Sequence, residues 1–285
     1  MQGRAHIISK NKKRFFTTVV ASIAIVTSVY AFVEPYLIKY EKFSFFDKDI
    51  PAAFDGKRIV FIADIHRSHF FSQNRLKKLI SMVNANSPDI ILLGGDYTTH
   101  GEPQYIESVF SELATLNAPL GVYAVLGNHD HTQYLYLTKV SIKKANIQLL
   151  DNKATWVYIK HERIKIGGVG DLWHDIQTLS PTTADVNSHD FVILLSHNPD
   201  YARTLSTDLV DLVLSGHSHG GQITFFGLWA YDRIYSNYTD GKFRHGLINL
   251  GFTQVFVTKG MGTVFLPMRF FARPEIVVIT LRKGI

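Results

Sequence analysis

The chain has 285 residues, a formal net charge of +6 and a pI near 9.3. Apolar residues make up 46% of it and no composition shift divides it, which argues against disorder and for one large folded domain. The absence of cysteine excludes disulfides, thiolate metal sites and a cysteine nucleophile, while the basic balance suits an anionic partner without naming it.

The first element is FFTTVVASIAIVTSVYAFV, Phe15 to Val33, an uncharged run just long enough to cross a hydrocarbon core as a helix. Arg4, Lys10, Lys12, Lys13 and Arg14 precede it and Glu34 and Pro35 follow it. The excess of Lys and Arg before the span places the N-terminus in the cytoplasm and the remainder outside, single-pass in a cell membrane. A cleaved signal is the competing reading, with Val29-Tyr30-Ala31 as the cleavage site. Residues 1–38 are therefore expected to be a basic segment with a membrane anchor or signal, and residues 39–285 the folded domain. Next comes FSFFDKDIPAAF, whose Phe43, Phe45 and Phe46 suit either a membrane-proximal segment or an edge strand.

From Lys57 onward, short apolar runs end abruptly in polar or glycine-rich turns: RIVFIA before Asp64, DIILLGG before Asp96, VYAVLG before Asn128, FVILLS before His197 and LVDLVLSG before His217. Each reads as a strand buried on both faces. Helical patterns lie between them at Asn74 to Ala85 and Pro103 to Leu116, the first with Leu76, Leu79, Ile80 and Val83 in one stripe. Thr155 to Val169 reads as a hairpin turning at KHER, and Gly221 to Phe226, Gln254 to Thr258 and Ile276 to Leu281 read as strands. This alternation predicts an α/β fold of two packed sheets with helices outside.

Metal-capable residues sit at the C-terminal ends of five predicted strands, the edge where open α/β sheets bind ligands. Alone, each motif is modest. Asp64 and His66 can reach one ion only if the chain unwinds between them, and Asp96 also suits a turn cap. In GNHD, Asn128 is an uncharged oxygen ligand, and Asp130 is placed to orient His129. His197 alone suits a structural histidine. His217 and His219 share one side of an extended segment flanked by glycines.

The ordered set D-x-H, GD, GNHD, a lone His and GHxH resembles the calcineurin-like metallophosphoesterases across Lys57 to about Leu281. The resemblance implies a four-layer α-β-β-α sandwich and a binuclear metal-dependent phosphohydrolase, a phosphodiesterase or pyrophosphatase attacking phosphorus with a metal-bridging hydroxide. It implies one ion held by Asp64, His66 and His219, a second by Asn128, His197 and His217, and Asp96 bridging them. His129 would protonate the leaving group or polarise a phosphate oxygen, with Asp130 behind it. The ligands suit two divalent ions, manganese first, with iron, zinc or nickel as the other candidates. Arg67 stands where many relatives carry Leu, and suits either a phosphate contact or a solvated surface. Thr99 replaces a second Asp.

SGHSHGGQI, LLSHNPD and GMGTVFLPMRFFARPEI look like a branch of bacterial membrane-associated phosphodiesterases, some of which cleave UDP-2,3-diacylglucosamine in lipid A assembly. The resemblance thus implies a phosphorylated substrate, in the narrower case a lipid-linked nucleotide, with the membrane met through the N-terminal helix. A broad extracytoplasmic phosphoesterase is the alternative. A non-catalytic scaffold is the other, although such chains lose ligands that are all present here. Phe265, Leu266, Pro267, Met268, Phe270 and Phe271, with Arg269 and Arg273, read either as a lipid-facing rim with phosphate-binding arginines or as ordinary core packing. Tyr231, Tyr235 and Tyr238 suit a pocket lining or a surface loop. His69, His100, His131 and His174 receive no role. No basic-aromatic stripe appears on the catalytic part, so no nucleic-acid partner is expected.

Overall fold

The computed structural model describes residues 2–100, 102–230 and 242–284; Tyr231, Tyr235 and Tyr238 lie outside them. A long helix, α1 (Gln2–Val33), leads into β1 (Lys39–Asp47) and β2 (Arg58–Ile62). There follow α2 (Gln73–Asn84), β3 (Ile90–Leu93), α3 (Ile106–Leu113), β4 (Val122–Ala124), α4 (Leu135–Lys144) and β5 (Gln148–Leu149). The second half begins with the hairpin β6 (Lys153–Ile159) and β7 (Glu162–Gly168), then α5 (Ser180–Thr183), β8 (Val192–Leu195) and β9 (Leu212–Ser215). It closes with β10 (Thr224–Phe225), β11 (Trp229–Ala230), β12 (Gly246–Asn249), β13 (Gln254–Val257) and β14 (Glu275–Lys283).

Two six-stranded sheets form, ordered β1-β14-β2-β3-β4-β5 and β12-β13-β9-β8-β7-β6, with β10 and β11 as a separate hairpin. Strands β2 to β5 are parallel, as are β13, β9, β8 and β7, while β14 runs antiparallel to β2. The period of two decides how the sheets pack. Ile59, Phe61, Ile90 and Leu92 of the first sheet join Ile193, Leu195, Leu212 and Leu214 of the second in one buried cluster between the sheets. Their neighbours Val60, Ile62, Ile91 and Leu93 turn outward beneath α2, α3 and α4, against Leu76, Leu79, Val83, Val109 and Phe110. On the other outer face, Val192, Leu194 and Val213 are covered by Tyr201, Ala202, Leu205 and Phe243. That fourth layer is thin, built from α5 against β6 and β7, a 3-10 turn at Pro199–Thr204 and loops.

Local differences have local causes. The predicted helix at Pro103 to Leu116 starts as a 3-10 turn, Pro103–Tyr105, and α3 stops at Leu113. The predicted strand Gly221 to Phe226 shrinks to Thr224–Phe225, since Gly220 and Gly221 turn with φ of 61° and 81°. Phe43 stacks on Phe256 with ring centroids 5.0 Å apart, and Phe45 is buried, so the FSFF segment is an edge strand of the first sheet.

From Phe15 to Val33 helix α1 carries no charge and is largely exposed, long enough to be a membrane span or a signal. At its end Glu34 is fully buried and accepts hydrogen bonds from the N–H groups of Phe271 (2.8 Å) and Ala272 (2.6 Å). The Arg269 N–H donates to the Ala31 carbonyl at 2.9 Å.

Candidate metal centre

Strands β2, β3, β4, β8 and β9 all end at one edge, and the loops that follow carry the polar residues singled out above. Backbone bonds zip these loops together: the Asp64 N–H donates to Gly95 O (2.9 Å) and the His66 N–H to Asp96 O (3.0 Å). Asp64, His66, Asp96, His217 and His219 all have positive φ, between 47° and 68°. Non-glycine residues hold that conformation only where their surroundings impose it, and such strain gathers at functional sites. Space is imposed as tightly as conformation. A Cβ on Gly216 would lie 2.5 Å from Asp64 Oδ2, so only glycine lets β9 leave its sheet this close to that carboxylate.

The side chains meet in two groups that share one residue. In the first, His66 Nε2 lies 3.1 Å from His219 Nε2, and His219 Nε2 lies 3.8 Å from Asp64 Oδ1. In the second, Asn128 Oδ1 lies 3.1 Å from His197 Nε2 and 2.9 Å from His217 Nδ1. The Asp96 Oδ2 atom faces both, 3.4 Å from His66 Nε2 and 3.2 Å from His197 Nε2. All of these side chains but Asn128 are buried. Burial opposes charge on His197, but the Asp96 and Asp64 carboxylates dominate and hold its ring up at about 10. Burial raises Asp64 to about 6 against the pull of His197. Buried carboxylates and imidazoles thus converge at one spot, in groups that could hold metal ions.

His129 lines the same cleft, a space of about 200 Å³ bounded also by Asp96, Asn128, His217, His219, Val264, Phe265 and Trp173. Burial keeps its ring neutral by lowering its pKa to about 4, against the pull of Asp96. Its Nδ1 accepts a hydrogen bond from the His100 N–H at 3.1 Å, so the neutral ring carries its proton on Nε2.

Asp130 does not stand behind His129. Its carboxylate accepts instead from the N–H groups of Asp96 (2.8 Å), Gly127 (2.9 Å) and Tyr97 (3.0 Å), pinning the β3 loop to the β4 loop. Arg67 is neither solvated nor aimed at a phosphate. It is buried, donates to Phe71 O at 2.7 Å and lies 4.0 Å over the Tyr105 ring. Arg269, read as a basic rim residue, is also buried and donates to the Gly262, Ala272 and His219 carbonyls. Phe265 and Leu266, in contrast, are exposed and not core. Trp173 was missed, because nothing near it in sequence is a motif; its ring stands edge-on to His217 with centroids 4.5 Å apart. Gln222 was missed as a side-chain clamp: its amide accepts from the Val264 N–H and donates to Val264 O, fixing the rim loop.

Residues 57–221 match the calcineurin-like phosphoesterases, more than half of the chain. The chain belongs to that family. It is 33% identical to an uncharacterized metallophosphoesterase, YkuE, of Bacillus subtilis, over 88% of each chain. It is 30% identical to the Escherichia coli phosphodiesterase YaeI, over 95% of this chain and 99% of that one. Among solved structures it is similar to the Haemophilus influenzae NAD nucleotidase, at 15% identity and a TM-score of 0.48, over 71% of this chain and 50% of that one. As a calcineurin-like phosphoesterase it is a metal-dependent phosphoester hydrolase.

The donors fit the divalent ions this family uses. Two ligands each about 2.1 Å from one ion stand about 3 Å apart at right angles and about 3.4 Å apart at the tetrahedral angle; the distances given above run from 2.9 to 3.8 Å. The ring orientation fits as well: His197 Nδ1 donates to Gly94 O at 2.7 Å, so Nε2 is the atom that faces Asp96 and Asn128, and a bound cation would take the place of its proton.

Proposed function

We propose that this phosphoesterase hydrolyses phosphodiesters or pyrophosphates on two divalent ions, one held by Asp64, His66 and His219, the other by Asn128, His197 and His217, with Asp96 between. The observation that carries this reading is the single Asp96 Oδ2 atom facing a histidine of each group. When bound, the ions supply Lewis acidity, activating water and neutralising charge on phosphorus-bound oxygens. Manganese is the ion to try first, with iron, zinc and nickel fitting the same donors.

The chain's own part is orientation and hydrogen bonding. His129, neutral with its proton on Nε2, acts as a donor to a phosphate or leaving oxygen rather than as a carrier of positive charge. Asp130 holds Asp96 and Gly127 in place through their N–H groups. Trp173 and Phe265 narrow the cleft and limit water.

For the substrate, we infer an amphiphilic phosphate, with UDP-2,3-diacylglucosamine as the specific candidate. A second space of about 370 Å³ adjoins the cleft through His129, Val264 and Phe265 and is lined by Phe70 and Leu266, which suits an apolar substituent. Residues 1–38 would act as anchor or signal and residues 39–285 as the catalytic domain. The charges before the α1 span favour a second reading, a broad-range phosphoesterase on the outer side of a bacterial membrane. Protein stripped of metal and reloaded with manganese is the test, assayed on UDP-2,3-diacylglucosamine and on bis-p-nitrophenyl phosphate. Release of UMP supports the lipid-linked nucleotide. Cleavage of the generic diester alone moves the substrate outside lipid A assembly, and hydrolysis of neither would sink the diester and pyrophosphate reading.

A further inference from the structure

We propose that the β10–β11 hairpin is a second membrane contact, dipping into a lipid bilayer beside the end of α1 and seating the mouth of the metal cleft on the bilayer surface. The hairpin is too short to bury its own side chains. Phe225 is 64% exposed, Phe226 60%, Leu228 79% and Trp229 64%. Four large apolar side chains around one glycine form a contiguous patch of the kind that marks an interaction surface.

What covers the patch follows from its position. The hairpin is fixed to the segment after the rim: the Thr224 N–H donates to Phe270 O at 2.9 Å, and Phe226 packs on Phe271 with ring centroids 5.0 Å apart. Those two phenylalanines meet α1, with Tyr30 at 6.0 Å from Phe270 and 6.2 Å from Phe271. The patch is therefore continuous with the last turns of α1, whose uncharged run is Phe15 to Val33. That run corresponds to about 28 Å of helix, just enough to cross a hydrocarbon core. Aromatic side chains clustered where a span leaves the membrane are suited to the bilayer interface, with Trp229 the clearest case.

The cleft lies close to the same level. Phe265 and Val264 border the metal cleft, whereas Met268 lines a space shared with Ala31 and Phe32 of α1. Three residues of chain reach about 10 Å at most, so the cleft wall lies within that distance of the Met268 contact with α1. Phe265, 81% exposed, and Leu266, 51% exposed, extend the apolar surface from the hairpin towards the cleft.

A chain without cysteine permits a direct test. Leu228→Cys and Phe225→Cys, both at exposed positions, would carry nitroxide labels in the full-length protein reconstituted into phosphatidylethanolamine–phosphatidylglycerol vesicles. Lys160→Cys, in the β6–β7 turn at the opposite edge of the sheets, is the aqueous control. Oxygen should relax the labels at 225 and 228 more than a water-soluble nickel chelate does, with the reverse at 160. Nickel access at 225 and 228 equal to that at 160 overturns the proposal, and so does a label screened from both reagents, which would mean a protein partner. As a check without introduced cysteines, vesicles of brominated lipid should quench tryptophan emission in the wild type, and that quenching should drop in Trp229→Phe. Equal quenching in both would also overturn it. Neither readout depends on hydrolysis, so the reaction assigned above can stand or fall separately.

Discussion

Asp96 uses one carboxylate oxygen to accept the His129 N–H at 2.8 Å and keeps the other between His66 and His197. Its neutral amide counterpart would lose the charge that both donor groups share. Asp96→Asn is therefore expected to lower bound metal, read by elemental analysis after gel filtration, and unchanged stoichiometry would refute the shared position. His129→Ala makes the opposite prediction. It removes a hydrogen-bond donor from the cleft but no member of either donor group, so metal content should persist while kcat falls by about 10²–10⁴. Near-wild-type turnover with full metal would remove His129 from the chemistry. Asp130→Asn separates structure from catalysis at the next position. An amide offers one acceptor oxygen where three N–H groups now converge, and its NH₂ would face a donor. We expect metal affinity to fall about 10–100-fold, as when a partner that orients ligands is removed. Metal titration of the purified variant reads this directly; an unchanged affinity would show that the two loops hold their places without the carboxylate. The partners of Asp130 were not legible in sequence because backbone N–H groups carry no residue signature. The metal-capable residues were legible because each follows an apolar run at a strand end, where a buried polar side chain needs a reason.

The same contrast holds for elements. Strands such as β2, β3, β8 and β9 stood out because both faces are buried, which leaves runs without polar interruption. Helix α2 showed its stripe for the same reason, every fourth or third side chain meeting the first sheet. Helix α4 did not, since only Thr138, Ser141 and Ile142 are buried and no apolar stripe marks it. The junction of α1 with the domain was also hidden. It rests on Glu34, a charged residue immediately after an apolar span, which sequence alone reads as a flank. Its carboxylate is the acceptor for two N–H groups of the segment 271–272, a buried charge-assisted pair of bonds. Glu34→Ala would leave the Ala272 donor buried without its partner, at a cost of about 1–3 kcal/mol, and the part-buried Phe271 donor at less. The expected result is a lower melting temperature and faster proteolysis between α1 and β1, in detergent and with metal bound. Unchanged melting and proteolysis would mean that the end of α1 is held by its apolar contacts alone.

At the scale of the whole molecule, the two ends of the sandwich meet their charges differently. The metal end balances its carboxylates with imidazoles, whereas the far end brings Asp47, Asp49 and Asp211 within 4.8 Å of one another beside Lys48. Asp211 is the most constrained of the three: it precedes β9, and its carboxylate accepts the Val192 N–H at 2.7 Å where β8 begins. Burial raises its pKa from 3.8 to about 7, with Asp47 and Asp49 adding to the rise and the Val192 N–H and Lys48 opposing it. The sign follows from proton binding. The folded state holds this proton more tightly than the unfolded chain does, so its stabilising effect is complete below about pH 4 and is lost as pH rises through about 7. Each tenfold gain in proton affinity is about 1.4 kcal/mol, so the rise caps the effect at about 4 kcal/mol, which water and Lys48 reduce. Asp211→Asn keeps an acceptor oxygen for Val192 and has no proton to lose. Its melting temperature relative to the wild type should therefore climb between about pH 4 and pH 7 and stay level above that. Because both proteins carry the same metal ligands, pH effects on metal binding cancel in the difference. A gap that does not change with pH would mean that the Asp211 carboxylate titrates alike in the folded and unfolded chain, and that Lys48 and solvent neutralise the far end as fully as the histidines do the near one.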